Sequence, residues 1–158
     1  MQLVFHGKNP DLSNFYLAAI KRKFMTTTAK FINVAVCGAH MTGLPLNTQL
    51  TALGGEFVQA TCTSPDYKFY KLNGFIPARP GLLRVVDGGF AISLEIWKLP
   101  IENYGAFVST VPAPLGFGTL SLADGSHVNG FLCEHYATLN AVDISHLGGW
   151  RQYLKDVS

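Results

Sequence analysis

Residues 34–50 read VAVCGAHMTGLPLNTQL, and the fold is decided here. An apolar run of strand type, Phe31 to Cys37, stops at Gly38. A short loop follows, with His40 at its centre and Gly43 and Pro45 closing it. Asn47 to Leu53 then reads as a helix, stopped by Gly54-Gly55. A strand, a glycine-bounded loop and a helix place backbone N–H groups and one titratable ring at the end of a rigid element. Such a place suits a small anionic ligand.

The chain around it has 158 residues, 48% of them hydrophobic and 14% charged. That is enough for one sizeable core, and it excludes disordered and nucleic-acid-binding compositions. The formal net charge of +2 is unevenly spread. Residues 1–30 carry Lys8, Lys21, Arg22, Lys23 and Lys30 against Asp11 alone. The rest carries seven basic and nine acidic side chains, so the globular part is mildly acidic. Cys37, Cys62 and Cys133 lie far apart in apolar runs, with no CxxC. They read as buried free thiols of a reducing compartment. No apolar run reaches the roughly 18 residues of a membrane span, and the N-terminus lacks signal-peptide order. A cytoplasmic protein binding neither membrane nor nucleic acid is expected.

Residues 1–30 are expected to form an arm or extension, and residues 31–158 the domain. In the arm, Asn9-Pro10 marks a turn, Asp11 or Ser13 caps a short helix through Ile20, and Lys21-Arg22-Lys23 occupies its last turn. Met25 to Lys30 looks like a second beginning. Beyond the opening loop, strands are expected over Glu56–Ser64, Tyr67–Leu72, Gly81–Val86 and Phe90–Leu99. Asn73-Gly74 marks a turn, and Asp87-Gly88-Gly89 predicts a tight hairpin between the last two strands. Pro100 starts a helix carrying Tyr104, Phe107, Val108 and Val111, which Pro112-Ala113-Pro114 ends. Gly116–Leu122 and His127–Glu134 pair across a turn. A last element opens at Asp143 or Ser145, with Trp150 docking it on the core. The expected fold is α+β: a small mixed, mainly antiparallel β-barrel with peripheral helices.

Six blocks in order carry a resemblance: GAHMTGLPLNTQLTALGGEF, TSPDYKFYKL, RPGLLRV, SLEIWKLP, FVSTVPAPLGFGTLSLADGSHVNGFLCE and DISHLGGWRQYL. This succession, from about residue 33 to residue 154, resembles the C-terminal domain of allophanate hydrolase. VPAPLGFGT and GFLCE are its most specific parts. In that family the domain follows an amidase-signature domain, whose Ser-Ser-Lys machinery has no counterpart in these residues. The resemblance implies a domain that stands alone or works beside a separately encoded amidase. It also implies a gamma-glutamylcyclotransferase-like fold. The cyclotransferases place a catalytic glutamate after the helix that follows the long strand. STVPAPLGFG stands there instead, without a carboxylate, which argues against cyclotransferase chemistry.

The resemblance further implies that His40 assists decarboxylation of an N-carboxycarbamate. Loss of CO₂ requires the departing nitrogen to gain a proton, and an imidazole with a pKa near 6.5 can supply it. The competing reading is that His40 only orders its loop. The expected substrate-binding set is Gly38, Ala39, Met41 and Leu44 of the loop, Glu95 of the long strand, and Pro112 and Pro114 of a rigid rim. Glu95 is either a pocket acid or the partner of Arg84 across the hairpin. Pro112–Gly118 is either the rim or a plain connector. Tyr67 and Tyr70 read as packing residues, one hydroxyl reaching the pocket. Cys37 reads as a buried thiol rather than a nucleophile. His127, His135 and His146 show no ligand spacing, so neither metal nor cofactor is expected. The rivals to a decarboxylase are a non-catalytic assembly module, binding an amidase or a second copy of itself, and another lyase or transferase of the cyclotransferase fold.

Overall fold

The computed structural model describes residues 12–25 and 31–158. Helix α1 spans Leu12–Met25 and runs past Lys21-Arg22-Lys23, the expected last turn. The turn at Asn9-Pro10, the Asp11 cap and residues 26–30 lie outside the described residues. The body, from Phe31 onward, follows the order β1 (Phe31–Val36), α2 (Asn47–Thr51), β2 (Glu56–Cys62), β3 (Tyr67–Lys71), β4 (Pro80–Arg84) and β5 (Ser93–Pro100). Then come α3 (Ile101–Ser109), β6 (Leu115–Ser121), β7 (His127–Cys133), β8 (Val142–Asp143) and α4 (Trp150–Asp156). No helix among the described residues is long and apolar enough to cross a membrane.

Two sheets result. The larger runs β2-β5-β1-β7-β6, and the smaller runs β4-β3-β8. All pairings are antiparallel except β1 with β7. The expected barrel does not close. The two edges of the large sheet meet only past their ends, where the Ser64 N–H donates to the Ser121 carbonyl at 2.9 Å and the Ala123 N–H to that of Cys62 at 3.0 Å.

The central strand explains its own sequence. β1 lies between β5 and β7, so Val34, Ala35 and Val36 are all buried and apolar without alternation. Its parallel partner β7 approaches at Gly130, where a Cβ would stand 2.9 Å from the Ala35 carbonyl oxygen. β5 is buried on both faces as well, from Leu94 through Trp97. That burial decides the Asp87-Gly88-Gly89 segment, where a hairpin was expected. β4 pairs with β3 in the small sheet, while β5 enters the large one between β1 and β2. The turn therefore carries the chain between sheets, and Phe90 returns its N–H to the Tyr67 carbonyl at 2.8 Å. Pro100 ends β5 rather than opening the helix, and α3 begins at Ile101. Trp150 is buried in the core edge-on to Phe69 of β3 at 6.5 Å, docking α4 as expected.

Candidate functional site

The site grows from the end of β1. After Cys37 the loop winds through successive turns: the Met41 N–H donates to the Gly38 carbonyl at 3.0 Å, Leu44 N–H to Met41 at 3.0 Å, and Leu46 N–H to Ala39 at 2.9 Å. Asn47 reaches back with its side-chain amide to the His40 carbonyl at 2.8 Å. Gly43, at φ 75, supplies the left-handed residue this winding needs. Among the described residues, these backbone bonds leave the Ala39 and His40 amides without a carbonyl partner. The Met41 amide is already used, so it drops out of the set of N–H groups expected to grip an anion.

The His40 ring is fixed on three sides. Its Nε2 lies 2.8 Å from the Gln49 side-chain oxygen. It stacks on Phe131 at 5.2 Å and takes Phe107 edge-on at 5.4 Å. Beside it opens a small cavity. It is lined by Cys37, Gly38, Ala39 and His40 of the loop, by Arg79 and Pro80, and by the apolar Leu46, Val111, Leu115 and Phe131. Burial pushes the His40 pKa below its ordinary value, the bond to Gln49 opposes that, and the charge of Arg79 adds to it. Burial pushes the Cys37 thiol up to about 12, which suits a buried thiol and not a nucleophile. Cys62 is only half-buried, unlike the other two cysteines.

Arg79 is the residue that sequence reasoning missed. It lies in the connection between β3 and β4, with its guanidinium 5.3 Å from the centre of the Phe75 ring. Its Nε is buried and has no hydrogen-bond partner among the described residues. The signal was present in RPGLLRV: an arginine held directly before a proline and a strand, inside a Pro-bracketed connection.

Glu95 belongs elsewhere. It is buried on the far side of the loop, where the Thr42 N–H and hydroxyl donate to its Oε2 at 2.8 and 2.9 Å. Trp97 Nε1 donates to the same oxygen at 3.1 Å. Arg151 of α4 donates to Oε1 at 2.8 Å and to the Thr42 carbonyl at 2.7 Å. Burial pushes this carboxyl up, but the Thr42, Arg151 and Trp97 donors together hold it below its usual value. Glu95 is thus an ionised anchor for the back of the loop. Its partner is Arg151 and not Arg84, which turns to the Ser121 hydroxyl and lies over the Tyr67 ring.

Of the expected binding set, only Gly38 and Ala39 join His40 at the cavity. Met41 is buried in the core and lines a second, open cleft together with Glu95, Gly149 and Arg151. Leu44 packs against the core. Pro112 and Pro114 lie between the lining residues Val111 and Leu115 without lining the cavity, and Pro114 faces a separate depression beside Phe75 and Tyr136. Within the expected Pro112–Gly118 rim, Leu115 alone is among the lining residues. The Tyr67 hydroxyl accepts the Ser121 N–H at 2.9 Å, away from the cavity. Among the described residues, no three His, Cys, Asp or Glu side chains gather as metal ligands.

Comparison with known proteins fits this geometry. The family model described as "Allophanate hydrolase C-terminal domain" matches residues 32–155. Urea amidolyase of Saccharomyces cerevisiae is 42% identical over 129 residues, covering 78% of this chain. The chain spans only 7% of that protein's length. The solved allophanate hydrolase of Kluyveromyces lactis superposes with a TM-score of 0.78 at 38% identity, over 81% of this chain and 22% of that one. An aig2-like protein of Mus musculus shares the fold alone, at 16% identity and a TM-score of 0.51 over 68% of this chain and 78% of that one. The fold is α+β and gamma-glutamylcyclotransferase-like, and the chain belongs to the allophanate hydrolase C-terminal domain family.

Proposed function

We propose that this domain binds a small carboxylated urea derivative and assists its decarboxylation, with His40 delivering a proton to the departing nitrogen. The observation that carries the reading is the His40 ring, held by Gln49 and two phenylalanines at a cavity whose charged neighbour is Arg79. A ring so fixed pays little ordering entropy when the substrate arrives. The neutral ring donates Nε2–H to Gln49, so Nδ1 is the nitrogen that takes up and delivers the proton. Among the described residues no carboxylate lines the cavity, which supports this reading over a cyclotransferase one.

The substrate is the N-carboxycarbamate that an amidase releases from allophanate, and the domain works beside such an amidase. Support comes from its relatives, which are named urea amidolyase and allophanate hydrolase. The reading is tested by generating N-carboxycarbamate with an allophanate-cleaving amidase and following CO₂ release. The wild-type domain should accelerate release. His40→Ala should lose most of that acceleration, because general acid catalysis contributes about 10²–10⁴-fold. No acceleration by the folded wild-type domain would end the enzymatic reading.

A further inference from the structure

The cavity is chemically lopsided. Its lining sets one charged side chain, Arg79, among the apolar Val111, Leu115 and Phe131. The Arg79 Nε–H is buried and unpartnered, an uncommon state for a charged donor. Its guanidinium packs near Phe75, 5.3 Å from the ring centre. The planar fork of an arginine matches a carboxylate bidentately, as a lysine cannot. A carboxylate seated on Arg79 would satisfy the orphaned donor.

A dicarboxylate could seat either of its ends there, and the chemistry chooses between them. The carboxylate that departs becomes neutral CO₂. A guanidinium gripping that group would stabilise it before the reaction and release it during the reaction, which slows the step. A guanidinium gripping the carboxylate that stays negative costs nothing in the transition state. The departing group is then left against the apolar wall, where its charge is poorly solvated and its loss favoured.

Resting on the decarboxylation reading, we propose that Arg79 clamps the carboxylate retained by the substrate, while Val111, Leu115 and Phe131 receive the one that leaves. The site therefore takes compact molecules with two carboxylates on one central atom. For N-carboxycarbamate, the bond between nitrogen and the unclamped carboxyl carbon breaks. Its electron pair goes to nitrogen, the proton comes from the His40 imidazolium, and the products are carbamate and CO₂. His40 regains its proton from solvent.

The test compares malonate with isovalerate, in which one carboxylate is replaced by an isopropyl group of the same shape. Both are titrated into wild type, Arg79→Gln and Arg79→Lys, with thermal melts confirming that each variant is folded. Isovalerate should bind wild type within about threefold of malonate, since its branched end meets the apolar wall. Arg79→Gln should weaken both ligands at least ~10-fold, and Arg79→Lys, which keeps charge but loses the fork, should weaken both by less. Malonate binding that survives Arg79→Gln overturns the clamp. So does a wild-type site that takes malonate and refuses isovalerate, because both carboxylates would then be gripped. Failure of the decarboxylation reading looks different: the two ligands bind and depend on Arg79 as stated, but CO₂ release is not accelerated.

Discussion

His40 Nε2 and Gln49 Oε1 stand 2.8 Å apart, joining the loop after β1 to helix α2. With Gln49 accepting from Nε2, the proton that moves must enter and leave at Nδ1. Gln49→Leu should therefore lower the rate of assisted CO₂ release by roughly 10-fold, at the weak end of general-acid effects, with substrate affinity little changed. Gln49→Glu sets a carboxylate against the ring and should move the acid-dependent limb of the rate profile to higher pH. A pH–rate profile for the three proteins decides the matter. Parallel profiles would mean that Gln49 only packs.

Acid should also destabilise the fold through His40. Burial holds its folded pKa below the ordinary 6.5, the Arg79 charge adds to this, and the Gln49 bond opposes it. The other groups around the ring, Phe107, Phe131 and the protonated Cys37 thiol, carry no charge. As pH falls through about 6.5, the unfolded chain takes up a proton that the ligand-free folded chain binds only at lower pH, so stability is full above about 6.5 and declines below it. Urea denaturation midpoints measured between pH 7.5 and about 5.5 should fall more steeply for wild type than for His40→Gln. Equal slopes would mean that the ring protonates freely in the folded state.

Glu95 should matter for stability first and for the site only through the loop. Glu95→Ala strands the buried Trp97 indole N–H and the Thr42 amide and removes the partner of Arg151. Orphaned buried donors cost about 1–3 kcal/mol. The full ~3–5 kcal/mol of a buried pair is not expected, because the Arg151 side chain is 47% exposed. Its carboxyl is held below the usual range, so this contribution persists through neutral pH and is lost only under distinctly acid conditions. Thermal melts of Glu95→Ala and Arg151→Ala at pH 7 and pH 3 check both the size and the pH window.

Local chemistry explains what could be read in the sequence. β1, the loop and α2 were legible because Gly38 and Gly54-Gly55 punctuate a continuous apolar run and a short polar helix. β6 and β7 were legible from the turn between them. The crossing at Asp87-Gly88-Gly89 was not, because a turn motif fixes local curvature and says nothing about which sheet the next strand enters. β8, two residues long, has no periodicity to find. At the site, His40 stood out as the one ring in a glycine-bounded loop. Arg79 did not, since its importance lies in an unpartnered Nε that only the assembled fold can define. Glu95 was read as needing a cation, and it has one. Arg151 lies 56 residues away, beyond any local pattern.

Gly38 and Pro80, both in the cavity lining, approach each other closely. A Cβ on Gly38 would stand 2.6 Å from both Cδ and Cγ of Pro80. These are ring atoms of a residue buried at the start of β4, and they cannot swing aside. Gly38→Ala must therefore push Pro80 away, and Arg79 is bonded directly to Pro80. Overpacking of this kind costs about 1–3 kcal/mol. Because the displaced residue is bonded to the one that bears the guanidinium, malonate affinity should fall along with stability. Pro80→Ala removes the clashing ring atoms, so the double variant should recover more stability than the two single changes predict by addition. A thermal-melt double-mutant cycle with malonate titrations of all four proteins measures both effects. Strict additivity would show that the added methyl does not meet Pro80.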